Sequence, residues 1–139
     1  MPDTITVEVT INAPLDAVWD GYTNPADIVQ WNAASEDWHT TKATADLKVG
    51  GAFCSRMEAK DGSFGFEFAG TYTQVEPMAV LAYVFGDRMA EISFRDGPGG
   101  VTVQVRFDAE SGNSIEVQQA GWQAILDNFK RHMEARPRI

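Results

Sequence analysis

The chain has 139 residues, and 20 Asp+Glu against 11 Lys+Arg give a formal net charge of −9. This length normally makes one domain that buries roughly 70% of the surface its unfolded form exposes, so a core forms without metal or disulfide staples. The acid surplus argues against binding nucleic acid or a polybasic attachment to membranes, no apolar run nears the ~20 residues that span a bilayer, and Cys54 with His39 and His132 is too few for a zinc cluster.

At the start, Met1-Pro2-Asp3-Thr4 has neither the basic nor the apolar region of an export signal, so a soluble cytoplasmic protein forming a single domain over 1–139 is expected. Ile5, Val7, Val9 and Ile11 alternate with Thr4, Thr6, Glu8 and Thr10, the period-two pattern of a half-buried strand. Pro14 suits the first turn of a helix whose apolar stripe is Leu15, Val18, Trp19 and Tyr22. Asn24-Pro25-Ala26-Asp27 reads as an N-cap, a first-position proline and a first-turn acid, so a second short helix runs to Trp31. Such a helix pair can close one end of a sheet.

From Trp38 to Ala109 the pattern is strands broken at Gly50-Gly51, Asp61-Gly62, Glu76-Pro77, Gly86-Asp87 and Asp96-Gly97-Pro98-Gly99-Gly100. These short breaks permit an antiparallel meander and leave no room for parallel crossovers. A hairpin about Asp61-Gly62 sets Met57 opposite Phe66, Ser55 opposite Phe68 and Arg56 opposite Glu67. One about Pro77-Met78 sets Tyr72 opposite Tyr83. One at Gly86-Asp87 sets Tyr83 opposite Ala90, and the last sets Ile92 opposite Val103 and Phe94 opposite Val101. All four hairpins then sort the side chains onto the same two faces, one apolar and one carrying Arg56, Glu58, Glu67, Glu91 and Arg95; a one-residue slip would destroy that sorting. Arg56 and Glu67 read as a cross-strand ion pair.

Asn113, with Glu116 three positions on, resembles a capping box, and Pro137 marks a stop. The helix between them, about 22 residues, would be a rod of roughly 33 Å. Trp122, Ile125, Leu126, Phe129 and Met133 form its apolar stripe. The fold class is α+β: strand, two helices, six strands and a long C-terminal helix laid across a curved antiparallel sheet.

This order, with Ala13-Pro14…Val18-Trp19, Trp31-Asn32, Asp46-Leu47-Lys48-Val49-Gly50-Gly51, Gly70-Thr71-Tyr72-Thr73…Val75…Pro77 and Gly121-Trp122-Gln123-Ala124-Ile125-Leu126-Asp127-Asn128-Phe129, resembles the SRPBCC/START (Bet v 1-like) superfamily, whose fold is the helix-grip. Within it the chain is similar to the branch named after the activator of the heat-shock-protein-90 ATPase. The resemblance implies a cavity between sheet and long helix that holds a hydrophobic small molecule, with no cofactor; by analogy it also implies a chaperone contact. It does not imply a single activity. The eukaryotic cochaperone carries a further N-terminal domain, for which these 139 residues leave no room.

On that implication the ligand wall takes Val9 from the first strand, Trp19 and Ile28 from the helix pair, and Trp31 and Trp38 at the mouth. The sheet supplies Phe53, Ser55, Phe66, Phe68, Tyr72, Tyr83, Phe85, Ile92, Phe94 and Val103, and the last helix Gly121, Trp122, Ile125 and Phe129. Plain core packing is the rival reading for each. Small positions at Ser55, Gly70 and Ala90 withhold volume, and the hydroxyls of Ser55, Tyr72 and Tyr83 need partners if buried, both of which favour a partly open cavity. Gly121 costs ~1 kcal/mol relative to alanine in mid-helix, so it serves either a ligand's approach or close packing. Asp37 and His39 could offer an acid–base pair at the mouth for a cyclase- or hydrolase-like enzyme, but no motif places a Ser or Cys nucleophile beside them. A cochaperone-like interaction through the outer face is the third reading.

Overall fold

The structure, a computed structural model, describes residues 4–33 and 35–135. The expected stop at Pro137 lies outside the described residues. The elements run β1 (Thr4–Ile11), α1 (Leu15–Thr23), α2 (Pro25–Trp31), β2 (Trp38–Ala45), β3 (Ala52–Ala59), β4 (Gly65–Glu76), β5 (Val80–Phe85), β6 (Arg88–Gly97), β7 (Gly100–Asp108) and α3 (Ile115–Ala135). The seven strands form one curled antiparallel sheet in the order β1-β7-β6-β5-β4-β3-β2, the meander expected, with β1 brought round to pair with β7.

Local chemistry sets the helix ends. The Asn24 side chain accepts from the Ala26 N–H, and Pro25 holds the first helical position of α2. At α3 the cap falls one residue later than expected: the Ser114 hydroxyl accepts from the Val117 N–H at 3.2 Å, while the Asn113 amide bonds the Glu110 carboxylate. Gln118, buried one turn below, accepts from the Glu110 N–H at 2.8 Å and donates to the Glu110 and Asn113 carbonyls, which pins the loop leading into the helix.

The hairpin about Asp61-Gly62 has the expected register, with Arg56 across from Glu67. Its ion pair forms elsewhere. Arg56 Nε lies 3.0 Å from Glu58 Oε2 on its own strand, and Thr41, at the β2 bulge, donates to the same carboxylate at 3.3 Å. The guanidinium passes over Gly65, where a Cβ would sit 2.6 Å from it. The β4–β5 turn has three residues, with Met78 left-handed at φ 64°, so Val75 faces Leu81. An irregularity between Tyr72 and Gln74 absorbs the extra residue and returns Tyr72 to its place opposite Tyr83.

The last hairpin is two residues out of the expected register. It turns about Pro98-Gly99, pairing Gly97 with Gly100, Phe94 with Val103 and Ile92 with Val105. A shift of two preserves the faces, so the apolar side is intact. Gly100 is fixed by a close approach: at φ 122° its Cβ would sit 2.2 Å from the Ile11 carbonyl oxygen.

Strand β1 is a sheet edge, and α3 covers it. Gln119, Gln123 and Lys130 donate to the carbonyls of Thr6, Glu8 and Thr10 at 3.3, 3.0 and 2.5 Å, and the Asn12 N–H donates to Glu134 at 2.9 Å. These bonds occupy backbone groups that an open edge would offer to another strand. They also hold α3 toward the β1–β7–β6 half of the sheet. There the core is solid: Ile11, Val18, Ile92, Val101, Val103, Phe107 and Phe129 are fully buried.

Candidate functional site: an apolar cavity under the long helix

Away from that solid half, the sheet curls off beneath α3 and leaves a cavity of about 480 Å³. Strands β3–β5 form its floor, α3 its roof, and α1 and α2 one end. Phe53, Ser55, Phe68, Tyr72 and Tyr83 stand on the floor, with Phe66 at the rim; Gly121, Trp122 and Ile125 face them from the helix; Ile28, Trp31 and Trp38 close the end. Twelve residues expected at the wall are therefore brought together.

The other seven do not line it. Trp19, Ile92, Phe94, Val103 and Phe129 are buried in the solid half, where Trp19 meets Phe94 edge-on at 5.1 Å and Phe129 meets Trp31 at 4.9 Å. Val9 packs against that same core from β1. Phe85 is buried behind Phe68, its ring 5.3 Å away, and carries the Arg88 guanidinium 4.4 Å above its face. The sheet parity that groups these residues on one face does not tell where the helix rests on it.

Two of the small positions also read differently in the fold. Ala90 is buried opposite Phe107 and Tyr83 and is not on the wall. Gly70 makes room for a ring, since a Cβ there would lie 2.8 Å from Phe53 and 2.4 Å from the Val84 carbonyl. Gly121 is the opposite case: its Cβ would meet nothing within 4 Å, so close packing does not explain it.

Eight lining residues were not among the expected ones: Tyr22, Asn32, Met57, Leu81 and Val105, then Arg88, Glu110 and Leu126. Most lie on the apolar stripes of α1 and α3 or on the apolar sheet face, so the patterns that located the wall also reach them. Arg88 shares the parity of Ala90 and Ile92, and an inward arginine at a strand end is a signal the sequence offers. Its Nη1 lies 3.6 Å from Glu110 Oε2, a charge pair on the cavity wall.

The α2 end is tied down. Trp31 Nε1 donates to the Gly21 carbonyl at 2.9 Å, the buried Thr40 hydroxyl to Asn32 at 2.6 Å, and Asn128 to Ala33 at 2.5 Å; His132 Nε2 lies 2.8 Å from Asp27 Oδ1. Beyond Trp31 a second hollow of about 610 Å³ is lined mainly by polar and charged groups, Glu36, Lys60, Asp127 and Arg131 among them, and offers an apolar molecule little.

Asp37 and His39 do not form the acid–base pair considered above. Asp37 precedes β2 in a turn, and His39 is exposed opposite Glu58, on the face away from Trp38 and Thr40. Besides the Arg88–Glu110 pair, the titratable groups that face the cavity are phenols. Burial pushes Tyr72 up to about 12, and burial first, then its tyrosine neighbours, pushes Tyr22 and Tyr83 higher. All three are neutral at physiological pH. Among the described residues no group of three or more His, Cys, Asp or Glu could hold a metal ion, and no helix is long and apolar enough to cross a membrane.

A curled antiparallel sheet gripping a long C-terminal helix, with an apolar cavity between them, defines a helix-grip protein of the SRPBCC superfamily. The sequence profile described as Activator of Hsp90 ATPase homolog 1-like protein matches residues 12–134, and the chain belongs to that family. Among solved structures, the AHSA1-like protein of Aeromonas hydrophila is 50% identical, covering 96% of this chain and 93% of its own, with a TM-score of 0.91. A Cytophaga hutchinsonii protein is 44% identical, covering 94% and 92%, with a TM-score of 0.82. A Nitrosomonas europaea protein, 16% identical over 94% of each chain with a TM-score of 0.81, shares the fold. No curated protein matches the chain.

Proposed function

We propose that this protein binds a hydrophobic small molecule in the cavity between β3–β5 and α3. The observation that carries the reading is the open apolar volume of about 480 Å³ beneath Gly121. Protein interiors close around voids, and a dry apolar cavity of about 150 Å³ already takes up benzene. A glycine in mid-helix, facing open space at a cost of ~1 kcal/mol, fits a surface shaped for something other than its own side chains. The aromatic corner of Trp38, Phe64 and Phe66, with Phe64 61% exposed, serves as the entrance. In a cochaperone-like reading the same corner would instead meet a protein. Composition and charge support a cytoplasmic setting.

The test is titration with N-phenyl-1-naphthylamine, a neutral dye that brightens in apolar surroundings. Saturable one-to-one binding is expected for the parent protein. Gly121→Leu, whose side chain projects into the cavity, is expected to fold normally and lose the binding. Equal dye binding by both proteins would move the site elsewhere.

A further inference from the structure

Among the described residues, the buried threonine hydroxyls are partnered, whereas the hydroxyls around the cavity are not. The Thr23 hydroxyl donates to the Trp19 carbonyl at 2.8 Å, and that of Thr40 to Asn32 at 2.6 Å. Tyr72, Tyr83 and Ser55 are 5%, 7% and 5% exposed. None of their hydroxyls, nor that of Tyr22, bonds any described residue, yet none is an occluded polar atom left without a partner. The remaining possibility is that they open onto the cavity they line. Tyr22 supports this: it keeps accessible surface although protein surrounds it, as a group facing an internal space does.

These hydroxyls share one region. Tyr72 and Tyr83 are directly opposite on β4 and β5, their rings flanking Phe53 at 5.2 and 4.7 Å. Tyr22 reaches in from α1 to line the same cavity, and burial, before any effect of one phenol on another, keeps all three neutral donors. The wall's one cation, Arg88, is paired with its one carboxylate, Glu110. What remains is uncharged, the four hydroxyls and the Asn32 amide, groups that can donate to a ligand oxygen, in a site where a lone carboxylate would be desolvated without a counter-ion.

We infer that the cavity selects an apolar molecule bearing an uncharged carbonyl oxygen, which accepts hydrogen bonds from the Tyr72 and Tyr83 hydroxyls, with Tyr22 and Ser55 beside them. This rests on the cavity-binding reading and adds the chemistry of the occupant. In the free protein only water can serve these hydroxyls, and a hydrocarbon displacing that water would strand them.

The experiment compares 9-fluorenone with fluorene, flat tricyclic molecules that differ at one carbon, C=O against CH₂. Binding is read from tryptophan emission, and the ketone's carbonyl stretch from infrared difference spectra. The parent protein is expected to bind fluorenone about tenfold more tightly than fluorene, the worth of one net hydrogen bond, with the stretch lowered on binding. In Tyr72→Phe/Tyr83→Phe, which keeps both rings, the ratio is expected to fall to about one and the stretch to return toward its value in hydrocarbon. If both probes bind the parent equally, or fluorene binds better, with an unshifted stretch, the carbonyl inference is overturned while the cavity reading stands. If neither binds, both are overturned. The stretch in the parent decides even if the double variant fails to fold.

Discussion

The indole of Trp122 lies flat on the ring of Phe107, centroids 3.9 Å and planes 12° apart. This stack is the seam between the two halves of the interior. On the Phe107 side Ile11, Val18, Ile92, Val101, Val103 and Phe129 are fully enclosed. On the other side Trp122 meets Phe68 and Phe85 only at 6.2 and 6.0 Å, and the cavity begins.

Ring deletions on the two sides of the seam should differ. Phe107→Ala, at a side chain 1% exposed, is expected to cost about 3–5 kcal/mol. Phe68→Ala should cost clearly less, because one side of its half-buried ring already lacks neighbours. Urea denaturation of both variants checks this, and equal costs would mean that the cavity is filled by protein in solution.

Ala90→Phe is expected to destabilise by about 1–3 kcal/mol, since Ala90 sits in the solid half against Phe107 and Tyr83. No apolar compound should rescue it selectively. A Tm like that of the parent protein would show slack where the structure has none.

The parity of the strands was legible because each hairpin has polar outer residues that a slip would bury; even the two-residue error in the last hairpin left Phe94 and Ile92 on the correct face. The Asn24 cap was legible for the same local reason. The division of that face was not. Whether Phe94 or Phe68 faces the cavity depends on where α3 lies, and that is set by Gln119, Gln123 and Lys130 reaching the β1 edge, contacts made only in the folded chain. The Tyr72–Gln74 irregularity and the Arg56–Glu58 pair are likewise settled by three-dimensional neighbours, Thr41 and Gly65 among them.

Gly121→Ala is expected to raise stability by about 1 kcal/mol, because a methyl there meets nothing within 4 Å and the helix gains propensity. Thermal unfolding of parent and variant, both free of ligand, gives the sign. A loss would place a neighbour against the glycine.

The chain's three tyrosines all face the cavity, so a near-ultraviolet absorbance titration reports on it alone. Little ionisation is expected at pH 10.0, the ordinary value, with Tyr72 titrating at about 12 and the other two later. The unfolded chain gives up its phenolic protons first, so this contribution to stability is complete below pH 10.0 and is lost as pH rises through about 12. A normal tyrosine titration in protein that remains folded would show the phenols open to solvent.

The most direct test of the cavity is where a bound apolar molecule sits. With N-phenyl-1-naphthylamine added to methyl-labelled protein, intermolecular NOEs are expected to Ile28, Leu81, Ile125 and Leu126, which line the cavity, and not to Val49, Met89 or Val117, which are exposed on the surface. NOEs confined to the surface methyls, or no saturable binding at all, would contradict a ligand-holding cavity in this protein.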